Sequence, residues 1–462
     1  MRIPCRGRKT WAFLFLIVIA NATLVFSQPP NIYTFSGDVD LGVQFLLGFQ
    51  SSGQHYIGVR GDTVYVITSN GWTWCSKSTD GGQTFGTPVR VNSTAEAYNP
   101  SMRVDTGGII YVAYQDEFAD IRFTKSTDGG VTFIPGVKVN DDTIPQVGQE
   151  KPAIAVNNKG QIFIAWNDQR NIARPGRTVF SAASFDGGLI FTPNVQVSEP
   201  DISAGVSDIA ADDSGRVYVL YGGVAIARSI DTGQSFPSRT YITEPLWLLG
   251  FTSMAVSGPF AGIVGVAAPP DDVFKTSICF SASCDYGQTF SPIVLVNDDS
   301  LSGNSYPSLF FNNGAFFVSW NGERSGRFRD IYFSYSSDTG QTFAHSKQAN
   351  SDTLTDAVSP SLAINEAGKA FVVWLDPRRD PWYEEDWHPF VAVGNPTYIK
   401  GDLNLDLILS IADVVTLINV VFLNSSFPAP FENADGNCDG ILRPVDVVLE
   451  LQAVFLEQDF PC

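Results

Sequence analysis

Short apolar runs separated by polar, glycine-bearing turns recur along most of the chain, always in the same order. The first is a run such as Pro100-Ser101-Met102-Arg103-Val104-Asp105, Pro152-Ala153-Ile154-Ala155-Val156-Asn157, Pro307-Ser308-Leu309-Phe310-Phe311-Asn312 or Pro360-Ser361-Leu362-Ala363-Ile364-Asn365. After a glycine turn comes a more continuous apolar run, at 109–114, 161–166, 217–221, 315–320 and 369–374, rich in β-branched and aromatic residues. Runs of this length and composition predict strands, with many residues of the second covered on both faces. A third run, as at 121–125 or 331–335, leads into a polar turn, and a fourth, as at 136–140 or 293–297, leaves it. The pattern predicts antiparallel strands in sets of four.

The polar turn between the third and fourth runs carries a motif, Ser-x-Asp-x-Gly-x-Thr-Phe with small variations, in six copies: 78–85, 126–133, 184–191, 229–236, 283–290 and 336–343. Its aspartates Asp80, Asp128, Asp186, Asp231, Asp285 and Asp338 are spaced by 48, 58, 45, 54 and 53 residues. A four-stranded unit repeated at this period predicts the blades of an all-β propeller. Within the motif the carboxylate can accept backbone N–H bonds of its own turn, and the glycine permits the tight path. One carboxylate per turn is too few for calcium, which takes about six to eight oxygens. Residues 351–394 begin like the other units, at 359–365 and 369–374, with 387–394 as a third strand and no motif after it. Residues 33–49 precede the first clear unit and can supply the missing outer strand, which would close the ring and remove an exposed edge. The count is six or seven blades, and this pairing of the two ends favours seven.

Composition changes at Asn395-Pro396-Thr397. Beyond it lie two oxygen-rich loops, 402–413 and 435–446, each followed by an apolar helical pattern. Side-chain oxygens at loop positions 1, 3, 5 and 12 come from Asp402, Asn404, Asp406 and Asp413, and from Asp435, Asn437, Asp439 and Asp446. The backbone carbonyls of Ile408 and Ile441 fall at position 7, which is the ligand order of a calcium loop. Leu407 stands where the first loop would have glycine, and Arg443 at position 9 of the second. So small a module has little core, and calcium would contribute to its folding.

The first residues add a compartment. Arg2, Arg6, Arg8 and Lys9 precede an apolar stretch at 11–20, and residues 25–27 offer a cleavage site before Gln28. The chain divides into a signal peptide (1–27), a propeller (28–394), a linker (395–400) and a small all-α module (401–462). The expected product is secreted, with no transmembrane segment. The full chain carries a net charge of −19, and losing the four basic residues of the head leaves −23. Such a chain is a poor partner for nucleic acid. Of the cysteines past the signal, Cys438 and Cys462 could pair; Cys75, Cys279 and Cys284 complete an odd set. His55, His345 and His388 are far apart and fit no metal pattern, so structural or surface roles are expected.

The six motifs resemble the Asp-box, or BNR, repeats of the sialidase-like propeller superfamily, and residues 401–458 resemble a type I dockerin. The second resemblance implies calcium on the loop residues above together with Ser410, and binding to a cohesin module on a scaffold or surface protein. Cohesin choice usually involves loop positions 10 and 11, here Ile411-Ala412 and Pro444-Val445. The first resemblance implies a propeller but not an activity, because the superfamily holds enzymes and glycan-binding proteins alike. Sialidases grip the sugar carboxylate with three arginines, the first in a Phe/Tyr-Arg-Ile-Pro motif that residues 28–462 lack. Arg60, Arg103, Arg122 and Arg228 are available, and no local pattern selects among them. Tyr383-Glu384-Glu385-Asp386 could supply glycosidase carboxylates, or be a solvated loop. Trp166-Asn167-Asp168-Gln169-Arg170 recurs as 320–324 and 374–378, and recurrence favours a blade-building salt bridge over a site. No catalytic set is assigned. The main expectation is a propeller presenting a ligand- or glycan-recognition surface on a calcium-dependent, cohesin-binding tether. The alternative is a divergent sialidase or other glycoside hydrolase in an extracellular assembly.

Overall fold

The structure, a computed structural model, describes residues 32–43, 55–93, 96–143, 147–170, 177–199, 204–242, 247–269, 272, 275–299, 303–324, 328–378, 387–396, 411–423, 434 and 442–456. Seven antiparallel sheets follow one another along the chain. Each is one blade, and the first strand of each lies beside the first strand of the next, with the seventh returning to the first. The seven innermost strands are Ile57–Arg60, Ala97–Val104, Gln149–Val156, Val206–Ala211, Trp247–Ser257, Ser305–Asn312 and Val358–Ile364. The inner strands of blades 1, 4 and 5 lack the proline start that marks the other four and are not evident in the sequence pattern.

Blade 7 closes the ring. Its third strand, His388–Pro396, pairs outward with Tyr33–Phe35 and Val39–Asp40, so the N-terminal segment supplies the missing outer strand. Arg378 of this blade reaches Asp38 at 2.7 Å and Asp376 at 2.6 Å, pinning the incoming segment. The Tyr33 hydroxyl donates to the Gly368 carbonyl at 2.7 Å.

The features that repeat do structural work. In all six motif turns the serine hydroxyl bonds the aspartate Oδ1 and accepts the N–H of a glycine four residues on. In five of them the aspartate Oδ2 accepts a Thr or Ser hydroxyl; in blade 3 that residue is Ile190. The glycine is obligatory where blades touch: at Gly188 an added Cβ would lie 2.0 Å from Phe123 of the blade before. The residue just after the outer strand caps the start of the third strand. Asn92, Asn140, Asn297 and Asn350 accept the N–H bonds of Thr73, Ile121, Ile278 and Ile331, and Ser198 does the same for Val179.

The C-terminal module contributes two helices, α1 (Ile411–Leu423) and α2 (Pro444–Leu456). Both follow the three–four apolar spacing of the sequence. Val414, Leu417, Val447 and Ala453 are buried. Leu417 and Val447 belong to one apolar cluster with Tyr33, Phe317 and Trp374 of blades 6 and 7. No helix among the described residues is long and apolar enough to cross a membrane.

Candidate functional site

The inner strands line a central cavity of about 250 Å³. Two positions along them face each other blade by blade, aligned by pairing with the second strands. At the upper position stand Tyr56, Ser101, Ala153, Asp208, Ser253, Ser308 and Ser361. Three of the serines accept a backbone N–H from the next blade's inner strand: Ser253 from Leu309, Ser308 from Leu362, and Ser361 from Tyr56. In blade 4 a carboxylate replaces the hydroxyl. Asp208 Oδ2 accepts the Met254 N–H at 2.9 Å and the Ser253 hydroxyl at 3.1 Å.

Two positions further along, Gly58, Ala155, Ala210, Ala255 and Ala363 are small, while Arg103 and Phe310 are large. Arg103 of blade 2 reaches past blade 3, where Ala153 and Ala155 leave room, to place Nη2 3.8 Å from Asp208 Oδ1. His55, just before the inner strand of blade 1, brings Nε2 to 3.3 Å from Asp208 Oδ2. Asp208 is fully buried and His55 nearly so, whereas the Arg103 side chain keeps 25% of its surface accessible. Burial pushes the His55 imidazole below its usual pKa, with Arg103 adding to that and Asp208 opposing it. The imidazole is therefore neutral near pH 7, held against a carboxylate and beside a guanidinium. Such a dyad can take up or release a proton at a defined place.

Among the arginines available from the sequence, the structure puts Arg103 in this channel. Arg122 is spent on Asp116 at 2.7 Å, and Arg228 donates to the Tyr286 carbonyl at 3.3 Å. The signal for the channel was present in the first runs, where Asp208 stands in a serine's place and Arg103 among alanines. Its meaning appears only when residues 55, 103 and 208 share one axis. His55 sits buried against Asp208, while His345 bonds Asp298 at the surface.

The recurrent Trp-x-x-x-Arg segments stay structural. Arg170 bonds Asp168 and Asp141, each at 2.8 Å, and stacks on Phe180 at 4.2 Å. Arg324 and Arg378 repeat the arrangement over Tyr332 and Phe390. Left-handed φ values at Asn99, Lys151, Tyr306 and Ser359 recur before the prolines of four inner strands, which marks architecture rather than a site.

Of the expected calcium ligands, Asp413 and Asp446 are described; both are fully buried in the first turns of α1 and α2. Asp446 Oδ2 accepts the Arg443 N–H at 2.7 Å, and its Oδ1 has no hydrogen-bond partner. An orphaned buried carboxylate oxygen at loop position 12 fits a cation ligand. Asp402, Asn404, Asp406, Ile408, Ser410, Asp435, Asn437, Asp439 and Ile441 lie outside the described residues, as does the 383–386 acidic patch. Among the described residues no cluster of three His, Cys, Asp or Glu side chains could hold a metal. Cys75 and Cys279 are free and buried. Cys284 is disulfide-bonded to a partner outside the described residues, where Cys438 and Cys462 also lie.

No protein-family model matches the chain, and neither does any curated protein. Solved propellers do. YCF48 bound to a D1 peptide is 12% identical, with 82% of this chain and 100% of that one covered at a TM-score of 0.48. A PL25 polysaccharide lyase, an ulvan lyase, is 11% identical over 76% of this chain and 95% of its own, at 0.49. The α-L-arabinofuranosidase Arb93A of Fusarium graminearum is 13% identical over 75% and 97%, at 0.44. At such identities and scores nothing about this chain's activity follows from them.

Proposed function

We propose that the propeller is a glycan-processing domain, hydrolase-like in its chemistry, carried on a calcium-dependent dockerin-like tether. The observation that carries the reading is the break in symmetry. Six motif turns and the repeated salt bridges look alike from blade to blade, whereas His55, Arg103 and Asp208 come from three different blades and meet once. Repeated features build a ring, and a reaction needs one place in it. His55 is the proton-transfer group, and Asp208 fixes its tautomer and stabilises its charged form. Among the described channel residues this is a single acid–base pair, not the two facing carboxylates of most glycosidases. Glu384 and Glu385 are the proposed source of a second carboxylate. The three-arginine grip of sialidases is not part of this reading, since the described channel residues include one arginine.

The tether rests on a separate observation. Val415, Ile418 and Phe422 of α1 and Val448, Leu451 and Phe455 of α2 are exposed, and they fall at the same places in the two helices. A duplicated apolar face on a small module is suited to a partner protein such as a cohesin. Calcium, held by the two loops through Asp413, Asp446 and the other loop oxygens, would fix the helix starts and so that face.

The test is incubation of residues 28–462 with calcium and a panel of complex glycans, reading released sugar by mass spectrometry. Release that falls about a hundredfold or more in His55→Ala supports the reading. No release by folded protein, or release untouched by His55→Ala, removes it.

A further inference from the structure

We infer that the C-terminal module docks on the motif face of the ring at blades 5 and 6, fastened there by a disulfide from Cys284 to Cys438 or Cys462. The inference goes beyond the proposed function, since it holds whatever the propeller or the module binds. Its first basis is Cys284. This residue takes the second place of the blade 5 motif, where the other turns have Thr79, Thr127, Phe185, Ile230 and Ser337. It is disulfide-bonded, and the other cysteines narrow its partner. Cys75 and Cys279 are free and buried, in the third strands of blades 1 and 5. Cys5 lies in the segment expected to leave with the signal. The two that remain, Cys438 and Cys462, both belong to the module.

Three further observations put the module on that face. The third strand of blade 7 runs toward the motif end and finishes at Pro396. On the way Val393 passes Gly82 of the blade 1 motif turn, where an added Cβ would lie 3.0 Å from it. Leu417 and Val447, the buried residues of α1 and α2, share one apolar cluster with Phe317, Tyr335 and Ala344 of blade 6. The motif turns are also unequally covered. Residues 79–80, 127–128 and 185–186 of blades 1, 2 and 3 are exposed, whereas the matching 284–285 and 337–338 of blades 5 and 6 are half-buried. Thr342 of blade 6 is half-buried where Thr84, Thr132, Ile190, Ser235 and Thr289 are exposed. Turns built alike differ in their access to water, and the shielded ones include the turn that carries the disulfide. Docking leaves the duplicated face of α1 and α2 outward, since Val415, Phe422, Val448 and Phe455 stay exposed with the ring in place. The bond forms when two thiols pass two electrons and two protons to a disulfide-bearing oxidant, which leaves as the dithiol. A thiol reductant reverses the exchange and removes the fastening.

Nonreducing peptide mapping of residues 28–462, exported through an oxidising compartment, tests the fastening. The Cys284 peptide is expected to be joined to the peptide of Cys438 or of Cys462, and its mass says which. A Cys438–Cys462 peptide, a free Cys284 thiol, or a covalent dimer on a nonreducing gel overturns the inference. Tryptic cleavage after Lys400 gives a second readout in the native protein. On a denaturing gel the cut module is expected to stay with the propeller until a thiol is added, and a module that runs free without reductant overturns the inference. Hydrogen exchange tests the docking. Because the hydrogen bonds within the motif turns are the same, exchange differences among them read cover. Amides of 284–289 and 337–342 are expected to exchange about tenfold more slowly than those of 79–84 and 127–132, and the gap should narrow in Cys284→Ser. Equal exchange in all four turns of the native protein overturns the docking, whether or not the variant folds.

Discussion

The outer and inner ends of the blades obey opposite rules. At the outer end, the motif turn is rebuilt six times with the same serine, aspartate and glycine, and even its hydrogen-bond lengths barely change. At the inner end, one upper position holds tyrosine, serine, alanine and aspartate, and the next ring holds glycine, alanine, arginine and phenylalanine. Each outer turn satisfies its own chain, so any blade can use the same solution. The inner positions face a shared space, where a change in one blade is answered by others. Asp208 is tolerable because Arg103 and His55 come to it, and Arg103 reaches it because blade 3 offers alanines.

The strongest way to break this contrast is to remove the buried charge. Asp208→Ala should cost about 3–5 kcal/mol in urea unfolding, since it leaves Arg103 without its counter-charge in the channel. Asp208→Ser, which restores the hydroxyl of neighbouring blades, should still be destabilised, and adding Arg103→Ala should recover part of the loss. Full recovery by Asp208→Ser alone would mean that the ring position, not the charge, is what matters. Next in size is calcium. At a calcium concentration one hundred times its Kd the C-terminal module should gain about 2.7 kcal/mol, and chelation should lower its calorimetric transition while the propeller transition stays in place. A common shift of both transitions would show the module and ring melting as one.

Acid should weaken the two ends in separate pH ranges. His55 has a lowered pKa in the fold, so its contribution is complete above about 6.5 and declines as the pH falls below that value. The hydroxyls of Thr84 and Ser78 hold Asp80 well below the usual carboxylate range, and Thr132 does the same for Asp128. Bonds from Ser346 and His345 hold Asp298 at about 2 against the desolvation that opposes them. These contributions persist above about 3.9 and are lost as the pH falls toward 2. Unfolding free energies measured from pH 8 to 2 should therefore decline in two steps, and Asp208→Asn should alter the upper one only. The smallest effect is expected at Ile190→Thr. It gives the blade 3 aspartate the hydroxyl bond that the other five turns have, and should raise Tm slightly without touching the channel.

The fold was legible because each blade announces itself locally. The repeated motif, the glycine turn and the apolar second strand lie within one unit, and the closing strand at 33–49 was marked by having no unit of its own. The inner strands of blades 1, 4 and 5, Trp247–Ser257 among them, were not seen, because they lack the proline start that marks the other four. The meeting of three channel residues was illegible for another reason. His55, Arg103 and Asp208 are 48 and 105 residues apart along the chain, with nothing local to join them. An arginine among alanines gains meaning only once seven strands are placed side by side.

The strands that complete blade 7 impose an order in time. Tyr33–Phe35 leaves the ribosome before any blade exists, yet its partner, His388–Pro396, is made after all the others. The early strand must wait unpaired through most of synthesis, and the last blade has an open edge until it arrives. Closing so long a loop adds little to the equilibrium cost but makes the step slow. Ring closure is then a late event that senses whether the whole propeller has been made, and an interrupted chain would expose the edge of blade 7 as its most adhesive surface.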